Sequence, residues 1–268
     1  MCVVAFAWQA HPRWRLLLIG NRDEFHGRPS AALSAWPQCS ILAGRDLVAG
    51  GTWAGVDRHG RCAVVTNVRN GDGANSTATH SRGQLPLAFL SSAPDAHGRQ
   101  TVVDTVTTKA GLYAAFNLLL VDQEQCRVLS NHPRPEAVTV APGIHGLTNG
   151  GFPSQWPKAQ ALCTALATWL AADTARCADT ADTLDAIDLA ALWAALHNRQ
   201  AFPDHSLPDT GVGMTLERRL SPVFIKGPEY GTRACTVIAV DHSGKGWIME
   251  RGFGPDGMAL GERSLPIG

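Results

Sequence analysis

Apolar runs of strand length recur along the chain and predict a succession of β-strands. Cys2–Trp8 and residues 14–21 are joined by a polar connection containing His11-Pro12, which indicates a β-hairpin. Two more runs, at 50–56 and 62–67, predict a second pair of strands. Later runs predict strands at 115–121, 126–130, 137–140, 144–149, 235–241 and 246–250.

Helical spacing of apolar residues predicts two helical regions between these strands. After a loop at 69–83 that is rich in Gly, Asn, Ser and Thr, and long enough to be a functional lid, helices are expected at 84–91 and within 98–110. The clearest helix has Ser154 in position to cap it and ends near Ala172. Another helix is expected within 184–196, before a connector at 201–213 that contains Pro and Gly.

The predicted order is therefore strands, helices, strands, helices, strands. This order lacks the regular strand–helix alternation that is typical of a parallel doubly wound sheet. Blocks of antiparallel strands separated by paired helices favour an α+β fold, in which helices pack outside two stacked sheets. No repeat and no linker divides residues 1–268, so we predict one domain.

Charge and hydropathy narrow the classes of partner. Lys plus Arg and Asp plus Glu both number 23, so the net charge of zero gives no electrostatic basis for binding nucleic acid or an anionic membrane. No apolar segment reaches the length of about 18 residues that suggests a transmembrane helix. Because no basic residue precedes the first apolar run, we expect no signal peptide and a cytoplasmic protein.

Cysteine and histidine spacing does not indicate a metal site. The seven cysteines are odd in number and contain no C-x-x-C pair, which argues against a disulfide framework and a zinc site. The ten histidines include no H-E-x-x-H motif, and a G-x-S-x-G nucleophile motif is also lacking. We therefore predict no metal.

Cys2 is the candidate nucleophile because it directly follows the initiator Met1. Removal of Met1 would leave one residue with both a thiol and a free α-amine. An α-amine titrates near ~7.7–8.0 and a free thiol near ~8.5, so the amine can accept the thiol proton at neutral pH. The alternative is a buried cysteine at the start of a strand. Retention of Met1 would exclude the amine as base.

Polar side chains in the segment 21–25 interrupt the apolar pattern at the end of the second strand. In a regular strand Asn21 and Asp23 share one face while Arg22 and Glu24 share the other. Unpaired charges are costly to bury, so these residues, with the nearby Arg28, should pair with one another or contact a ligand. A solvated strand end with an internal ion pair is the alternative.

Other candidate site residues lie farther along the chain. Gly51, Thr52 and Trp53 belong to a glycine-bearing segment where the backbone must turn or approach another group closely, but its glycine order gives little support for nucleotide binding. Asn67 and Asn149 each end an apolar strand in a Thr-Asn pair, and either amide could donate to an oxyanion or merely form a turn. Arg233 is a candidate contact for an anion or a substrate.

Together, and in this order, these segments resemble the NRDE family, also called the transport and Golgi organisation protein 2 family. The segments are Met1-Cys2, 21–25 with Arg28-Pro29, 50–55, Thr66-Asn67, 146–149 and 230–233. The resemblance covers nearly the whole chain. It implies an N-terminal nucleophile hydrolase-like fold with four layers in the order α, β, β, α, in agreement with the predicted element order.

The resemblance extends to choloylglycine hydrolase and penicillin acylase relatives, which cleave amide bonds with an N-terminal nucleophile. In these relatives an Arg and an Asp near the second strand assist the cysteine, two later Asn residues serve the site and a late Arg completes it. Asn67, Asn149 and Arg233 match this pattern by position. Arg22 and Asp23 depart from it, since they are adjacent while the relatives place the pair three residues apart.

Two function classes follow. In the first, Cys2 attacks an amide or thioester of a small acylated metabolite, Asn149 and Asn67 steady the oxyanion, Asp23 holds the amine, and Arg22 or Arg233 orients the substrate. No cofactor is then required. In the second, which the family resemblance also implies, the cleft binds haem and assists its movement in the cell. A small-metabolite binding protein with a degenerate hydrolase cleft is a third possibility.

Overall fold

Two antiparallel sheets form the centre of the fold in a computed structural model, which describes residues 2–37, 39–69, 78–172 and 187–268. The strands are β1 (Cys2–Trp8), β2 (Trp14–Phe25), β3 (Ser30–Ala35), β4 (Ile41–Asp46), β5 (Ala54–Asp57), β6 (Cys62–Asn67), β7 (Phe116–Val121), β8 (Cys126–Ser130), β9 (Glu136–Thr139), β10 (Gly143–Leu147), β11 (Tyr230–Asp241), β12 (Gly246–Phe253) and β13 (Ala259–Ile267). One sheet has the order β10-β1-β2-β11-β12-β13 and the other runs in chain order from β3 to β9.

Helices cover the outer face of each sheet. They are α1 (Gln84–Leu90), α2 (Ala96–Thr108), α3 (Pro157–Ala171), α4 (Ala190–Leu196) and α5 (Met214–Leu220). The first two pack on the seven-stranded sheet, whereas α3 and α4 pack on the six-stranded sheet. The predicted α+β fold with layers α, β, β, α is therefore confirmed. No helix among the described residues has both the length and the apolar character needed to cross a membrane.

Side-chain alternation in β1 and β2 explains why the two sheets stack. Val3, Ala5 and Ala7 face the helices, while Val4 and Phe6 point into the core between the sheets. The same alternation continues through β2. Because these strands are buried on both faces, their sequences are continuous apolar runs. Full burial of each large aliphatic side chain contributes about 1.5–3 kcal/mol.

The second strand is longer than the sequence predicted. It continues through the polar segment to Phe25 instead of ending at Asn21, because β1 pairs with one edge and β11 pairs with the other as far as Tyr230. Strands β3, β4 and β13 and helix α5 were not predicted. The exposed, small or polar residues of β3 and β13 give them little apolar signal.

Strand β11 also begins earlier than predicted, at Tyr230 instead of 235, and two other elements begin later than predicted. The strand expected at 50–56 begins only at Ala54, since Gly50 has a φ of +73° and ends a turn instead. Helix α3 begins at Pro157 rather than next to Ser154, and its N-cap is Trp156. The Ser154 hydroxyl accepts from the Trp156 N–H and bonds the Thr148 hydroxyl. The predictions for 70–77 and 184–186 lie outside the described residues.

Asn21 joins the six-stranded sheet to the segments that cover it. Its buried Nδ2 donates to the carbonyl oxygens of Leu196 at 2.8 Å and Val223 at 2.9 Å. These bonds attach the end of α4 and the chain beyond α5 to β2. Asn21 is therefore directed toward the helices.

We expect Asn21→Ala to lower the free energy of unfolding by about 2–4 kcal/mol, because two buried carbonyls lose their donor. Urea denaturation of the variant and the wild type measures this loss. Asn198→Ala removes the side chain of an exposed asparagine that, within the described part of the chain, bonds only the nearby Gln200 N–H, so it should cost less than about 1 kcal/mol. Equal losses in the two variants would contradict the anchoring role.

Candidate functional site

A cavity of about 750 Å³ opens where β1 begins and where β2 and β6 end. Its wall contains most of the residues that the sequence singled out. These are Cys2, Arg22, Asp23, Glu24, Arg28, Thr52, Trp53, Asn67 and Arg233. Asn21, Gly51 and Asn149 are not part of the wall, although Asn149 contacts Cys2. A cavity of this size accommodates a small organic molecule.

Cys2 is the first residue of β1 and faces the space between the sheets. It is paired in register with Arg22 of β2 and is 6% exposed. Burial raises the pKa of its thiol, while the charge of Arg22 and the backbone N–H of Asp23 act in the opposite direction. The thiol is therefore a poor nucleophile until a nearby group takes its proton.

The main-chain nitrogen of Cys2 is bonded to a pair of asparagines. It donates to Asn149 Oδ1 at 3.4 Å, and Asn149 Nδ2 donates at 2.8 Å both to the backbone oxygen and to Oδ1 of Asn67. Both hydrogens of the Asn149 amide are thus used within the protein. Asn67 Nδ2 donates to none of the described residues and lies in the cavity wall. Only the Asn67 amide is therefore available to a ligand, whereas the sequence led us to expect that both amides could donate to an oxyanion.

The polar segment of β2 divides its side chains between two faces, as its alternation predicted. Arg22 and Glu24 line the cavity, with 3.6 Å between Arg22 Nη2 and Glu24 Oε2. Asp23 is 1% exposed, and its Oδ1 accepts from the Thr232 hydroxyl at 2.7 Å. Burial raises the pKa of Asp23, and the positive charge of the buried Lys158 opposes this rise.

Arg28 and Arg233 lie in the wall but are bound within the protein. Arg28 donates through two nitrogens to Asp46 Oδ2, at 2.9 and 2.7 Å. The Arg233 guanidinium donates to the carbonyls of Phe25, His26, Arg28 and Phe253 and to the Ser30 hydroxyl. Arg233 therefore holds the turn after β2 against β12, which leaves it few donors for a ligand.

The segment from Gly51 to Trp53 shapes the cavity through its backbone. A Cβ on Gly51 would lie 2.4 Å from the carbonyl carbon and oxygen of Gly83, so only glycine fits there. The Thr52 N–H donates to the Gly83 carbonyl at 3.1 Å. Trp53 packs in the core between the sheets beside Gly20. These contacts hold the residues before α1 at the edge of the cavity.

Three functional candidates were missed at the sequence level. Arg82 lines the cavity in the segment before α1 that was predicted as part of a loop. Glu250 of β12 lines it too, and its Oε1 accepts from the Leu33 N–H at 2.8 Å. Lys158 is 2% exposed at the start of α3 and donates to the Leu220 carbonyl. A lone charge within an apolar helix, as at position 158, is a signal that sequence analysis can use.

Glu250 should make the stability depend on pH. Burial raises its pKa above the ordinary 4.5, so the folded state favours the protonated carboxyl. The carboxyl is protonated in both states well below pH 4.5, the stability falls as the pH rises from 4.5 toward the folded-state pKa, and the loss is complete above that pKa. Each unit by which the pKa is raised corresponds to about 1.4 kcal/mol.

We therefore expect Glu250→Gln, which can still accept from Leu33, to match the wild type near pH 4 and to be more stable at pH 7. Urea denaturation at both values measures the difference, and the other acidic groups cancel between the two proteins. A stability difference that does not change with pH would refute a raised pKa at Glu250.

Comparison with known proteins agrees with this geometry. Residues 1–255 match the family described as Transport and Golgi organisation 2. The chain is 31% identical over 268 residues to the human transport and Golgi organization protein 2 homolog, covering 94% of this chain and 92% of the relative. It is 25% identical over 284 residues to the Drosophila melanogaster protein of that name, covering 96% and 95%.

Among solved structures, the chain is similar in fold to the C2A mutant of conjugated bile acid hydrolase from Clostridium perfringens. The TM-score is 0.50 at 8% sequence identity, covering 99% of this chain and 92% of the hydrolase. At this identity the similarity concerns the fold alone. It shows that the two sheets and their helices are arranged as in an N-terminal nucleophile hydrolase.

Proposed function

The chain belongs to the Transport and Golgi organisation 2 family, and we propose that it is an N-terminal cysteine hydrolase acting on an amide or thioester bond of a small acylated metabolite. The observation that carries the proposal is the surroundings of Cys2. Its thiol faces the cavity, and its main-chain nitrogen is bonded to the Asn149–Asn67 pair. The hydrolase-like fold supports it.

The reaction begins with removal of Met1, which converts the Cys2 nitrogen into an α-amine. Asn149 Oδ1 then accepts a hydrogen from this amine and directs its lone pair toward the thiol of the same residue. The amine takes the thiol proton, Sγ bonds to the substrate carbonyl carbon, and the proton passes to the leaving amine or thiol as its bond to that carbon breaks. Water then hydrolyses the acyl-cysteine thioester, releasing the acid and restoring the thiol.

Each nearby residue has a separate role in this proposal. Asn67 Nδ2 stabilises the oxyanion, a contribution for which loss of one donor costs about 3 kcal/mol. Arg22, opposite Cys2, favours the thiolate. Asp23 lies on the other face of β2, and when it is ionised its charge stabilises the ammonium formed by proton transfer. Arg28 and Arg233 shape the wall through their internal bonds.

A screen of N-acyl amides and acyl thioesters tests the hydrolase directly. We expect the wild type to hydrolyse at least one class and Cys2→Ala to lose the activity by a factor on the order of 10⁴ or more, because the nucleophile is removed. Cys39→Ala, at an exposed cysteine, should retain it. Equal activity of Cys2→Ala and the wild type would rule out Cys2 as the nucleophile.

The state of the amino terminus gives an independent test. Intact mass of the active protein should show that Met1 is absent, because the α-amine of Cys2 must be free to act as base. Full activity in a preparation that retains Met1 would refute the amine-as-base mechanism.

Haem binding is the second candidate, favoured by one feature of the cavity. Cys2 and His80, both residue types that ligate haem iron, lie in its wall together with arginines able to bind propionates. We expect haemin to give a shifted Soret band with the wild type, and His80→Ala or Cys2→Ala to alter it. Identical spectra in all three proteins, or equal binding by an unrelated apolar protein, would contradict a specific site.

A further inference from the structure

The arginines in the cavity wall differ in how many of their donors are already bonded within the protein. Asp46 binds Arg28, backbone carbonyls bind Arg233, and Glu24 lies within ion-pair distance of Arg22. In each case a protein group already occupies donors of the guanidinium. A ligand would have to compete with these internal bonds.

Arg82 differs from these three arginines. The wall arginines Arg45 and Arg263 also form no ion pair with a described residue, but both are exposed, whereas Arg82 is half-buried. Its Nη1 donates to the Ala115 carbonyl at 3.0 Å, and it forms no ion pair with any carboxylate of the described residues. Arg82 and Cys2 both line the cavity, and no other donor of the Arg82 guanidinium binds a described residue. Burial lowers the pKa of Arg82, and the charges of ionised Cys2 and Glu24 oppose this effect. A half-buried guanidinium with free donors is suited to bidentate binding of a carboxylate.

The backbone fixes where Arg82 lies. The adjacent Gly83 carbonyl accepts from the Thr52 N–H, and Gly51 packs so closely on Gly83 that a Cβ would overlap it. The side chain is held at its other end by Ala115, which precedes β7. The guanidinium is thus positioned before any ligand arrives, which reduces the entropy lost on binding.

Resting on the proposed hydrolase function, we propose that the substrate carries a carboxylate close to its scissile carbonyl and that Arg82 binds this group. The substrate class is then an acylated metabolite bearing an acid, such as an N-acyl amino acid or a thioester of a carboxylated thiol. Arg82 is a specificity-determining residue in this assignment, while Cys2 performs the chemistry.

Alkylation of Cys2 tests the anion site without a known substrate. Iodoacetate and iodoacetamide deliver similar groups, and in both the Cys2 thiolate forms an S–C bond as iodide leaves, but only iodoacetate carries a carboxylate. Peptide mass spectrometry of the full chain gives the rate at Cys2 for each reagent. The exposed Cys39 of the same chain provides the reference for their intrinsic reactivity.

We expect the iodoacetate-to-iodoacetamide rate ratio at Cys2, divided by that at Cys39, to fall about tenfold in Arg82→Gln, the factor given by loss of a charge-assisted hydrogen bond of about 1.4 kcal/mol. Arg82→Lys should retain part of the preference. Arg45→Gln removes the same charge at the exposed rim of the cavity and should leave the ratio unchanged.

An unchanged ratio in Arg82→Gln would overturn the proposal. An equal loss of alkylation rate for both reagents would also overturn it, because Arg82 would then only stabilise the thiolate. The same fall of the ratio in Arg45→Gln would overturn it too, because the preference would then come from the overall positive charge of the cavity. The ratio does not depend on turnover. A failed acyl-substrate screen with an intact Arg82-dependent ratio would therefore reject the hydrolase and still support the anion site.

Discussion

The structure depends on a set of hydrogen bonds that joins the two sheets where the cavity opens. Asn149, just after β10 of one sheet, donates to Asn67 at the end of β6 in the other. Beside it, the Thr66 hydroxyl donates to the Thr148 carbonyl at 2.7 Å. Buried polar groups must find partners, so the two Thr-Asn pairs bind each other across the stack. The apolar core between the sheets does not fix this register, because dispersion and hydrophobic burial are non-directional.

This junction also explains why the candidate site lies at this end of the sandwich. The apolar side chains that fill the space between the sheets stop where the two Thr-Asn pairs begin, and Cys2 is the first inward-facing residue of β1. The cavity walls then come from the polar end of β2, the rim of β3 and β4, and the segment held by Gly51. Asn149 therefore bonds both the other sheet and the main-chain nitrogen of Cys2, so the candidate site and the attachment between the sheets share this residue.

Sequence reasoning recovered what depends on local periodicity. Continuous apolar runs located β1, β6, β7 and β8, and alternation correctly divided Asn21 and Asp23 from Arg22 and Glu24. It failed where a partner decides the outcome. The polar end of β2 is a strand because β11 pairs with it, and Trp156 replaces Ser154 as the N-cap because the Ser154 hydroxyl bonds Thr148.

The roles of the site residues were harder to predict for the same reason. The sequence positions of Asn67, Asn149 and Arg233 predicted that these residues lie at one end of the fold. They could not predict which hydrogen-bond donors of each side chain are already used within the protein. That depends on non-local bonds, such as the four carbonyls that bind Arg233. Arg82 had no sequence signal at all. Arg82 lies in the cavity wall because Gly51 packs closely on the neighbouring Gly83. This contact joins segments that are about thirty residues apart in the sequence.

The burial of Cys2 gives a physical reason for a base within the same residue. A lone thiolate in this cavity pays a desolvation cost, and that cost raises the thiol pKa. In the proposed mechanism, transfer of the proton to the adjacent α-amine creates a thiolate and an ammonium only a few bonds apart, and their attraction in a low-dielectric site offsets much of the cost. A distant histidine would need its own burial and orientation. The neutral Asn149 at the nitrogen fits this arrangement, because a carboxylate in direct contact would hold the amine protonated and keep it from acting as base.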